Sequence, residues 1–156
     1  MYLSTVEFPL GTVYISAEDA AVTALSTRAP AGSGPESPLT RECARQLRAW
    51  FAGGAFPADI PLAPKGTDFQ KRVWQALLTV PCGETCSYSE IAARIGRPDA
   101  VRAVGAAIGR NPIWILIPCH RVLGKNGALT GYAGGLEMKR HLLELERRAF
   151  FERHCL

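Results

Sequence analysis

Apolar and polar residues alternate along the first part of the chain. Between Tyr2 and Ser26, short runs rich in Val, Tyr, Ile and Thr are interrupted at 9–11 and at 18–19 by residues that favour turns. This pattern predicts two or three antiparallel strands, and therefore a small sheet at the start of the protein. The stretch from Ala29 to Pro38 is dense in Pro, Gly and Ser, and it predicts an exposed loop.

A helical period follows the loop. We expect Thr40 to cap this helix, the pair Gly53-Gly54 to end it, and its apolar face to pack against the sheet. The apolar positions are Cys43, Leu47, Trp50 and Phe51. Proline residues at 57, 61 and 64 then make the chain extended and stiff. We place a boundary there, with residues 1–64 in one lobe and residues 65–156 in the other.

Further helices are predicted beyond this boundary. The first is capped by Thr67 or Asp68 and ends near Pro81. Its apolar face consists of Phe69, Val73, Trp74, Leu77 and Leu78. Residues 87–96 predict a short helix, and residues 99–109 predict a second one after a tight turn. A helix-turn-helix has this pattern, but so does an ordinary helical hairpin, and the spacing leaves both open.

The charge is unevenly distributed between the two lobes. The chain of 156 residues has a formal net charge of +4. Residues 1–64 carry four Lys or Arg against six Asp or Glu, whereas residues 65–156 carry 14 against eight. A basic lobe suits a polyanionic partner such as nucleic acid. A solvated charged face has the same composition, and composition alone does not decide between the two.

The sequence gives no sign of a membrane segment, a secretory signal or a metal site. The longest apolar stretch, Ile113 to Ile117, is far shorter than the roughly 20 residues that cross a bilayer. The first residues lack the basic and apolar segments of a signal peptide, so we expect a cytoplasmic protein with no membrane partner. The five cysteines are an odd number without disulfide spacing. Cys82 and Cys86 lack a second ligand pair, and we expect no metal.

The segment from Asn111 to Val122 combines an apolar run with three chemically active side chains. It reads Asn-Pro-Ile-Trp-Ile-Leu-Ile-Pro-Cys-His-Arg-Val. A thiol is nucleophilic only as the thiolate, and an imidazole or guanidinium beside Cys119 favours that anion. His120 and Arg121 supply both groups. A core Cys next to a hydrogen-bonded core His gives the same sequence, so adjacency alone leaves both interpretations open.

This segment resembles the active-site motif of the O6-alkylguanine-DNA alkyltransferases. The similarity lies in the pentapeptide from Pro118 to Val122, preceded by Asn111-Pro112, and it extends over roughly residues 69–146. It also includes Ser87-Tyr88, the stretch from Arg102 to Gly105, Gly131-Tyr132, Gly134-Gly135, and the last helix from Lys139 to Glu146. Residues 1–64 match the family only in layout. The resemblance implies an α+β fold: an amino-terminal lobe with a small antiparallel sheet and a helix, and an α-helical carboxyl-terminal lobe with a helix-turn-helix and the active-site cysteine.

The resemblance implies a DNA repair protein. It would transfer a methyl or larger alkyl group from guanine O6 in double-stranded DNA to Cys119, with no cofactor. Each molecule would accept one group as a stable thioether and act as a monomer that turns over once. By the same resemblance, His120 removes the thiol proton through a bridging water and Glu146 orients the imidazole. Reaction with O4-alkylthymine and cooperative loading on DNA are left open.

The resemblance also implies that the damaged nucleotide is extruded from the duplex. Arg102 is then expected to enter the vacated stack, Tyr88 to rotate the target phosphate and touch the base, and Arg121 to contact DNA. Ala103 and Gly105 are expected to form a slim helix face for the minor groove, and Asn111 to tie this helix to the active-site turn. The expected base pocket is formed by Tyr88, Trp114, Val122, Tyr132 and Ala133.

Two positions depart from the pattern of the family. Relatives often carry Ser where this chain has Ala133, so only the backbone N–H there is expected to donate to guanine O6. Some relatives carry Pro or a small residue where this chain has Trp114. We therefore expect a narrow pocket that reacts poorly with bulky free bases such as O6-benzylguanine. A position of Trp114 in the core is the alternative.

Two functions from other classes compete with alkyl transfer. A non-catalytic protein that binds alkylguanine lesions would carry Trp in place of Cys119, so the retained cysteine argues against it. A helix-turn-helix transcription factor would use Arg102 and the basic lobe equally well, but it leaves the segment from Pro118 to Val122 unexplained.

Overall fold

The structure is a computed structural model that describes residues 1–155, with side chains described for residues 1–149. It has an α+β fold, as predicted. The chain forms two compact units, Met1–Lys65 and Gly66–Leu156.

The first unit is built on an antiparallel sheet of three strands in sequence order. The strands are β1 (Tyr2–Phe8), β2 (Gly11–Ala17) and β3 (Val22–Ser26). β1 pairs with β2 over its whole length, from Tyr2 opposite Ala17 to Phe8 opposite Gly11. The φ of Gly11 is +134°, a conformation that L-residues rarely adopt, and this lets the chain reverse tightly.

Helix α1 (Pro38–Phe51) covers one face of this sheet. Its cap is Ser37 rather than the expected Thr40. The Ser37 hydroxyl accepts from the Thr40 backbone N–H, and the Thr40 hydroxyl accepts from the Ser37 N–H, which forms a reciprocal capping box. Strands and helix share a core that contains Val6, Val13, Ile15, Leu25, Leu47 and Trp50. Full burial of such a side chain contributes about 1.5 to 3 kcal/mol.

The second unit is mainly helical. Its elements are α2 (Asp68–Leu77), β4 (Cys86–Ser87), α3 (Tyr88–Arg94), α4 (Val101–Gly109), β5 (Val122–Leu123) and α5 (Leu136–Cys155). Thr67 caps α2 through a second capping box, with Gln70. Val73, Trp74 and Leu77 are buried as the spacing predicted, whereas Leu78 follows the helix and is 43% exposed.

Helices α3 and α4 form the predicted pair around a tight turn. Gly96 has a φ of +75° directly after α3, where a residue without a side chain relieves the strain. α4 begins at Val101, two residues later than the spacing suggested. The Trp74 indole N–H donates to the Ala107 carbonyl oxygen at 2.8 Å, which fixes α4 against α2.

A short parallel pairing was not predicted. β4 pairs with β5, with Cys86 opposite Val122 and Ser87 opposite Leu123. This pairing holds the segment that follows the Cys-His-Arg motif against the residues that begin α3. None of the helices within residues 1–155 is long and apolar enough to span a membrane.

Candidate active site

A series of tight turns carries the chain from α4 to Cys119. The Leu116 N–H donates to the Trp114 carbonyl oxygen at 2.8 Å, and the φ of Ile115 between them is +72°. This three-residue turn is strained for a β-branched residue, at a cost of about 1 to 3 kcal/mol. A second such turn places the Cys119 N–H 2.8 Å from the Ile117 carbonyl oxygen. Cys119 then begins a single 3-10 turn, Cys119–Arg121.

Asn111 holds these turns together. It lies just beyond α4 and is 4% exposed. Its side-chain amide donates to the Ile117 carbonyl oxygen at 2.9 Å, and its side-chain oxygen accepts from the Ile113 N–H at 2.9 Å. Two hydrogen bonds from one buried side chain therefore couple the end of α4 to the turn that carries Cys119.

Cys119 is buried, with 6% of its surface exposed. Burial raises the pKa of its thiol, while a hydrogen bond from Asn111, the charge of Lys139 and a hydrogen bond from Tyr132 act in the opposite direction. The strongest of the groups that favour the thiolate is therefore Asn111, eight residues before Cys119 in the sequence. A thiol that burial keeps protonated needs a base to accept its proton.

His120 and Glu146 form a buried pair. The His120 Nε2 lies 2.9 Å from the Glu146 Oε1, and the two side chains are 0% and 1% exposed. Burial lowers the pKa of His120, and Glu146 opposes this through a hydrogen bond and its charge. Burial alone would raise the pKa of Glu146, but the hydrogen bonds from Arg121 and His120 outweigh it and lower the pKa to about 2. The site thus holds a carboxylate against an imidazole.

Arg121 is buried rather than exposed, which corrects the DNA contact predicted for it. Its side chain is 3% exposed, and its Nε and Nη2 donate to the Glu146 carboxylate at 2.9 and 2.5 Å. Its Nη1 donates to the Val80 carbonyl oxygen at 2.6 Å. A guanidinium held in this way neutralises the buried carboxylate.

A cavity of about 440 Å³ opens onto Cys119. Its lining includes four of the five residues predicted for the base pocket, namely Tyr88, Trp114, Tyr132 and Ala133. Val122, the fifth, does not line this cavity: it is fully buried and pairs in the sheet with Cys86. Gly105, Ile108 and Gly109 of α4 also line the cavity. A volume of this size is typical of sites that enclose an organic ligand.

Trp114 and Tyr132 make one wall of this cavity. Their ring centroids are 5.7 Å apart, with an interplanar angle of 57°. Gly134 lies beneath both rings, since a side-chain carbon there would stand 2.9 Å from each of them. The Tyr132 hydroxyl is buried, and this burial, together with the neighbouring Cys119, raises the pKa of Tyr132 well above 10. The tyrosine hydroxyl therefore remains a hydrogen-bond donor next to the sulfur.

Lys139 is a site residue to which the sequence analysis gave no role. It is fully buried, and its Nζ donates to the carbonyl oxygens of Thr130 and Gly131 at 2.8 and 3.3 Å. Burial lowers its pKa, and the negative charge of Cys119 would raise it. A lysine is rarely fully buried. The positions of the lysines along the sequence do not reveal which of them is buried.

The outer face of α4 is exposed and carries small residues. Arg102 and Ala103 are exposed at its first turn, Ala106 is exposed one turn later, and Gly105 is half-buried against the Tyr88 ring. The Tyr88 hydroxyl lies 3.1 Å from the Thr130 hydroxyl, which links α3 to the loop that carries Tyr132. Within residues 1–155, no group of three or more His, Cys, Asp or Glu side chains is arranged to hold a metal.

Comparison with known proteins assigns the family. The family described as 6-O-methylguanine DNA methyltransferase, DNA binding domain, matches residues 68–148. A methylated-DNA--protein-cysteine methyltransferase of Methanosarcina barkeri is 48% identical over 153 residues, covering 94% of this chain and 97% of the relative. The chain belongs to the 6-O-methylguanine DNA methyltransferase family. The resemblance inferred from the Pro-Cys-His-Arg-Val segment is thus confirmed.

Other members of the methyltransferase family agree in length and in fold. The constitutive methylated-DNA--protein-cysteine methyltransferase of Bacillus subtilis is 44% identical, covering 97% of this chain and 99% of the relative. The crystal structure of Mycobacterium tuberculosis OGT in complex with DNA superposes with a TM-score of 0.89 at 45% identity. That match covers 96% of this chain and 94% of the solved one.

Proposed function

We propose that this protein is a DNA repair methyltransferase that removes the alkyl group from O6 of guanine in double-stranded DNA and keeps it on Cys119. The observation that carries the proposal is a nucleophilic side chain at the wall of a cavity, next to a buried imidazole-carboxylate pair. The relatives named methylated-DNA--protein-cysteine methyltransferases support the same reaction.

The chemical step is a displacement at the alkyl carbon. The Cys119 sulfur forms a bond to that carbon as the bond from the carbon to guanine O6 breaks, and the bonding electron pair leaves with O6. The product is a thioether, which the active site has no means to cleave. Each molecule therefore reacts once, and repair is limited by the number of protein molecules. The same chemistry extends to O4 of alkylthymine, if that base fits the cavity.

His120 takes the thiol proton in this scheme, through a bridging water. Glu146 supports this role in two ways. It fixes the imidazole ring through the 2.9 Å hydrogen bond, and it offsets the positive charge that His120 gains. The carboxylate is ionised at neutral pH because its pKa is about 2. The resulting order is carboxylate, imidazole, thiol.

Guanine is held and activated by the cavity wall. We assign to the Ala133 backbone N–H the hydrogen bond to O6, which stabilises the charge that develops there as the bond breaks. Trp114 and Tyr132 are the apolar surfaces against which a flat base can pack. Tyr88 lines the same cavity.

DNA binding is assigned to the outer face of α4. The exposed Arg102 enters the stack where the base has left, and Ala103 and Gly105 allow α4 to lie close to the minor groove. The basic composition of residues 65–156 suits phosphate contacts, which make binding sensitive to salt. The bound DNA in the Mycobacterium tuberculosis OGT structure supports DNA as the partner.

Further parts of the proposal concern organisation and location. We assign DNA binding and catalysis to residues 65–156 and treat residues 1–64 as a separate α/β lobe. The protein acts as a monomer, without a metal or an organic cofactor, since the alkyl group moves directly between two covalent bonds. We place it in the cytoplasm, where a nucleophilic thiol stays reduced.

The deciding experiment is a mass measurement. The protein is incubated with a duplex oligonucleotide that contains one O6-methylguanine, and then digested and analysed by mass spectrometry. We expect a single added methyl group on the peptide that contains Cys119, and none after Cys119→Ser. Cys43→Ser is the matched control, because Cys43 is equally buried but lies in the other unit. Tight binding to the damaged duplex with no added mass would instead support the non-catalytic lesion binder.

A further inference from the structure

Cys82 contacts the buried pair of His120 and Glu146 through the Glu146 carboxylate. Its Sγ lies 3.3 Å from the Glu146 Oε2, within hydrogen-bonding distance for a thiol donor and a carboxylate. The residue is half-buried and lies between α2 and β4, 64 positions before its partner. No role follows for it from the transfer scheme, in which only Cys119 reacts.

The loop around Cys82 is built to hold this contact. The Glu84 N–H donates to the Pro81 carbonyl oxygen at 3.1 Å, and Gly83 has a φ of +90°. These features define a type II turn, in which the third position requires glycine and the second, here Cys82, has a fixed direction. The preceding Val80 carbonyl oxygen accepts from Arg121 at 2.6 Å. Two adjacent hydrogen bonds therefore bind this loop to the same buried carboxylate and guanidinium.

The donors on Glu146 are divided between its two oxygens. Oε1 accepts from the His120 Nε2 and the Arg121 Nε, both at 2.9 Å. Oε2 accepts from the Arg121 Nη2 at 2.5 Å and from the Cys82 thiol at 3.3 Å. The Arg121 Nε also donates to Oε2, at 3.2 Å. The thiol therefore shares Oε2 with Arg121, whereas Oε1 is the oxygen that faces His120.

A thiol is suited to this position because it is a weak donor. A stronger donor in place of the thiol would withdraw more electron density from the carboxylate and weaken the support that Glu146 gives to a protonated His120. Without the thiol, Oε2 has one donor fewer, and the carboxylate becomes more basic while Arg121 still holds it in place. The charged groups facing His120 are Glu146 and Lys139 from α5 and Arg121 from its own turn. Cys82 influences the effect of Glu146 on His120 without adding a further charge.

We propose that Cys82 is a positioning residue of the transfer site, whose thiol orients the Glu146 carboxylate and thereby sets the basicity of His120. This inference rests on the proposed function, because it assigns to the histidine the task of accepting the Cys119 proton. Cys82 itself does not touch the alkyl group or the sulfur that receives it.

Two variants of Cys82 are expected to shift the pH dependence of the transfer rate in different ways. Cys82→Ala removes the donor, so His120 becomes more basic and the acid limb of the profile moves up by about 0.5 pH unit. The rate below that limb then falls about threefold, while the rate at high pH stays near that of the wild type. Cys82→Ser supplies a stronger donor, and its acid limb lies at or below that of the wild type.

The control is Cys86→Ala, which removes a buried thiol from the next strand that makes no contact with Glu146 in the hydrogen bonds described for residues 1–149. A purely structural role for Cys82 would lower the melting temperature in Cys82→Ala and Cys86→Ala alike and leave the pH profiles superimposable. That result would overturn the proposal.

A second measurement does not depend on transfer. The ¹⁵N chemical shift of the His120 Nε2 reports its hydrogen bond to Glu146, and it can be read in the protein without DNA. We expect this shift to change in Cys82→Ala and to stay unchanged in Cys86→Ala. An unchanged shift in Cys82→Ala rejects the role of Cys82, whereas failure of the wild type to methylate Cys119 rejects the proposed function and leaves this readout intact.

Discussion

The Nε2 of His120 and the Oε1 of Glu146 lie 2.9 Å apart in a region that water does not reach. In such surroundings a hydrogen bond to a charged group is stronger than at the surface, because little solvent screens it. The carboxylate fixes which imidazole nitrogen faces α5, and it compensates a positive charge on the ring. The pair is therefore built to hold a proton that the ring receives.

Replacing the carboxylate tests this relationship. Glu146→Gln keeps the size of the side chain but removes its charge, so a protonated His120 loses its compensation. We expect the second-order rate constant for methyl transfer to fall by about 100-fold or more, the range for loss of general base catalysis. The measurement is a single-turnover assay with an O6-methylguanine duplex. Glu144→Gln is the control, since Glu144 lies on the same helix with 43% exposure and pairs with Arg147. Equal rates for the two variants would contradict the role.

The Glu146 carboxylate also makes the free energy of unfolding depend on pH in the acidic range. Its pKa falls from 4.5 to about 2 on folding, so it binds protons more readily in the unfolded chain. This contribution is fully present above pH 4.5 and is lost as the pH falls towards 2, and it amounts to about 3 kcal/mol. We expect urea unfolding of the wild type to show this decline. Glu146→Gln should be less stable at pH 7 and show a flatter profile between pH 4.5 and 2. A decline of equal depth in both proteins would place its origin elsewhere.

Lys139 contributes to the site through its hydrogen bonds and through its charge, and two variants separate these contributions. Its Nζ holds the loop carbonyls of Thr130 and Gly131, and its charge favours the Cys119 thiolate. Lys139→Gln keeps a donor but removes the charge, whereas Lys139→Met removes both. We expect transfer to slow about tenfold in both variants, which corresponds to a loss of about 1.4 kcal/mol of electrostatic stabilisation. The neighbouring Arg140→Gln, at an exposed position, is the control. A normal rate in Lys139→Gln would assign Lys139 to loop anchoring alone.

Local patterns were enough to predict most of the helices. The capping residue Thr67 and the spacing of Val73, Trp74 and Leu77 define α2, because helix propensity and burial agree there. The α+β fold follows from such elements together with the family resemblance. The cap of α1 was misplaced by three residues, since Ser37 and Thr40 both suit a cap and only their reciprocal bonds distinguish them.

The site was harder to predict where it depends on contacts that are distant in sequence. Arg121 is next to the motif, so a DNA contact was a natural expectation, but its partners are Val80 and Glu146. Val122 is likewise turned into a two-residue strand whose pairing with Cys86 is too short to leave a periodic signal. The direction of a buried side chain depends on elements that pack against it, and one local segment does not contain that information.

We expect Trp114 to limit the size of the alkyl group that fits the cavity. It lines the cavity beside Cys119 and packs against Tyr132. We expect the wild type to react poorly with O6-benzylguanine, and Trp114→Pro to react faster with it while methyl transfer from DNA changes less. Trp114→Ala is the second variant, in case proline disturbs the turn at Ile115, and Trp114→Phe reduces the size of the side chain only in part.

The measurement is the ratio, in each protein, of the rate constant for O6-benzylguanine to the rate constant for methyl transfer from DNA. A wild type that already reacts fast with the benzyl compound would contradict the steric explanation.

Methylation of Cys119 is expected to destabilise the protein that carries it. The thiol is 6% exposed, and its sulfur accepts hydrogen bonds from Asn111 and Tyr132. The sulfur of a methyl thioether accepts weakly, so these buried donors lose a partner, at about 1 to 3 kcal/mol. The extra carbon itself meets less resistance than in a filled core, because the sulfur borders the 440 Å³ cavity. We therefore expect the methylated protein to melt several degrees below the free protein. Tyr132→Phe should reduce this difference, because one of the lost hydrogen bonds is already absent in that variant.

Scanning calorimetry measures the melting temperatures of the wild type and of Tyr132→Phe, before and after reaction with a methylated duplex and with the DNA removed. A methylated protein that melts at or above the temperature of the free one would show that these hydrogen bonds do not support the fold.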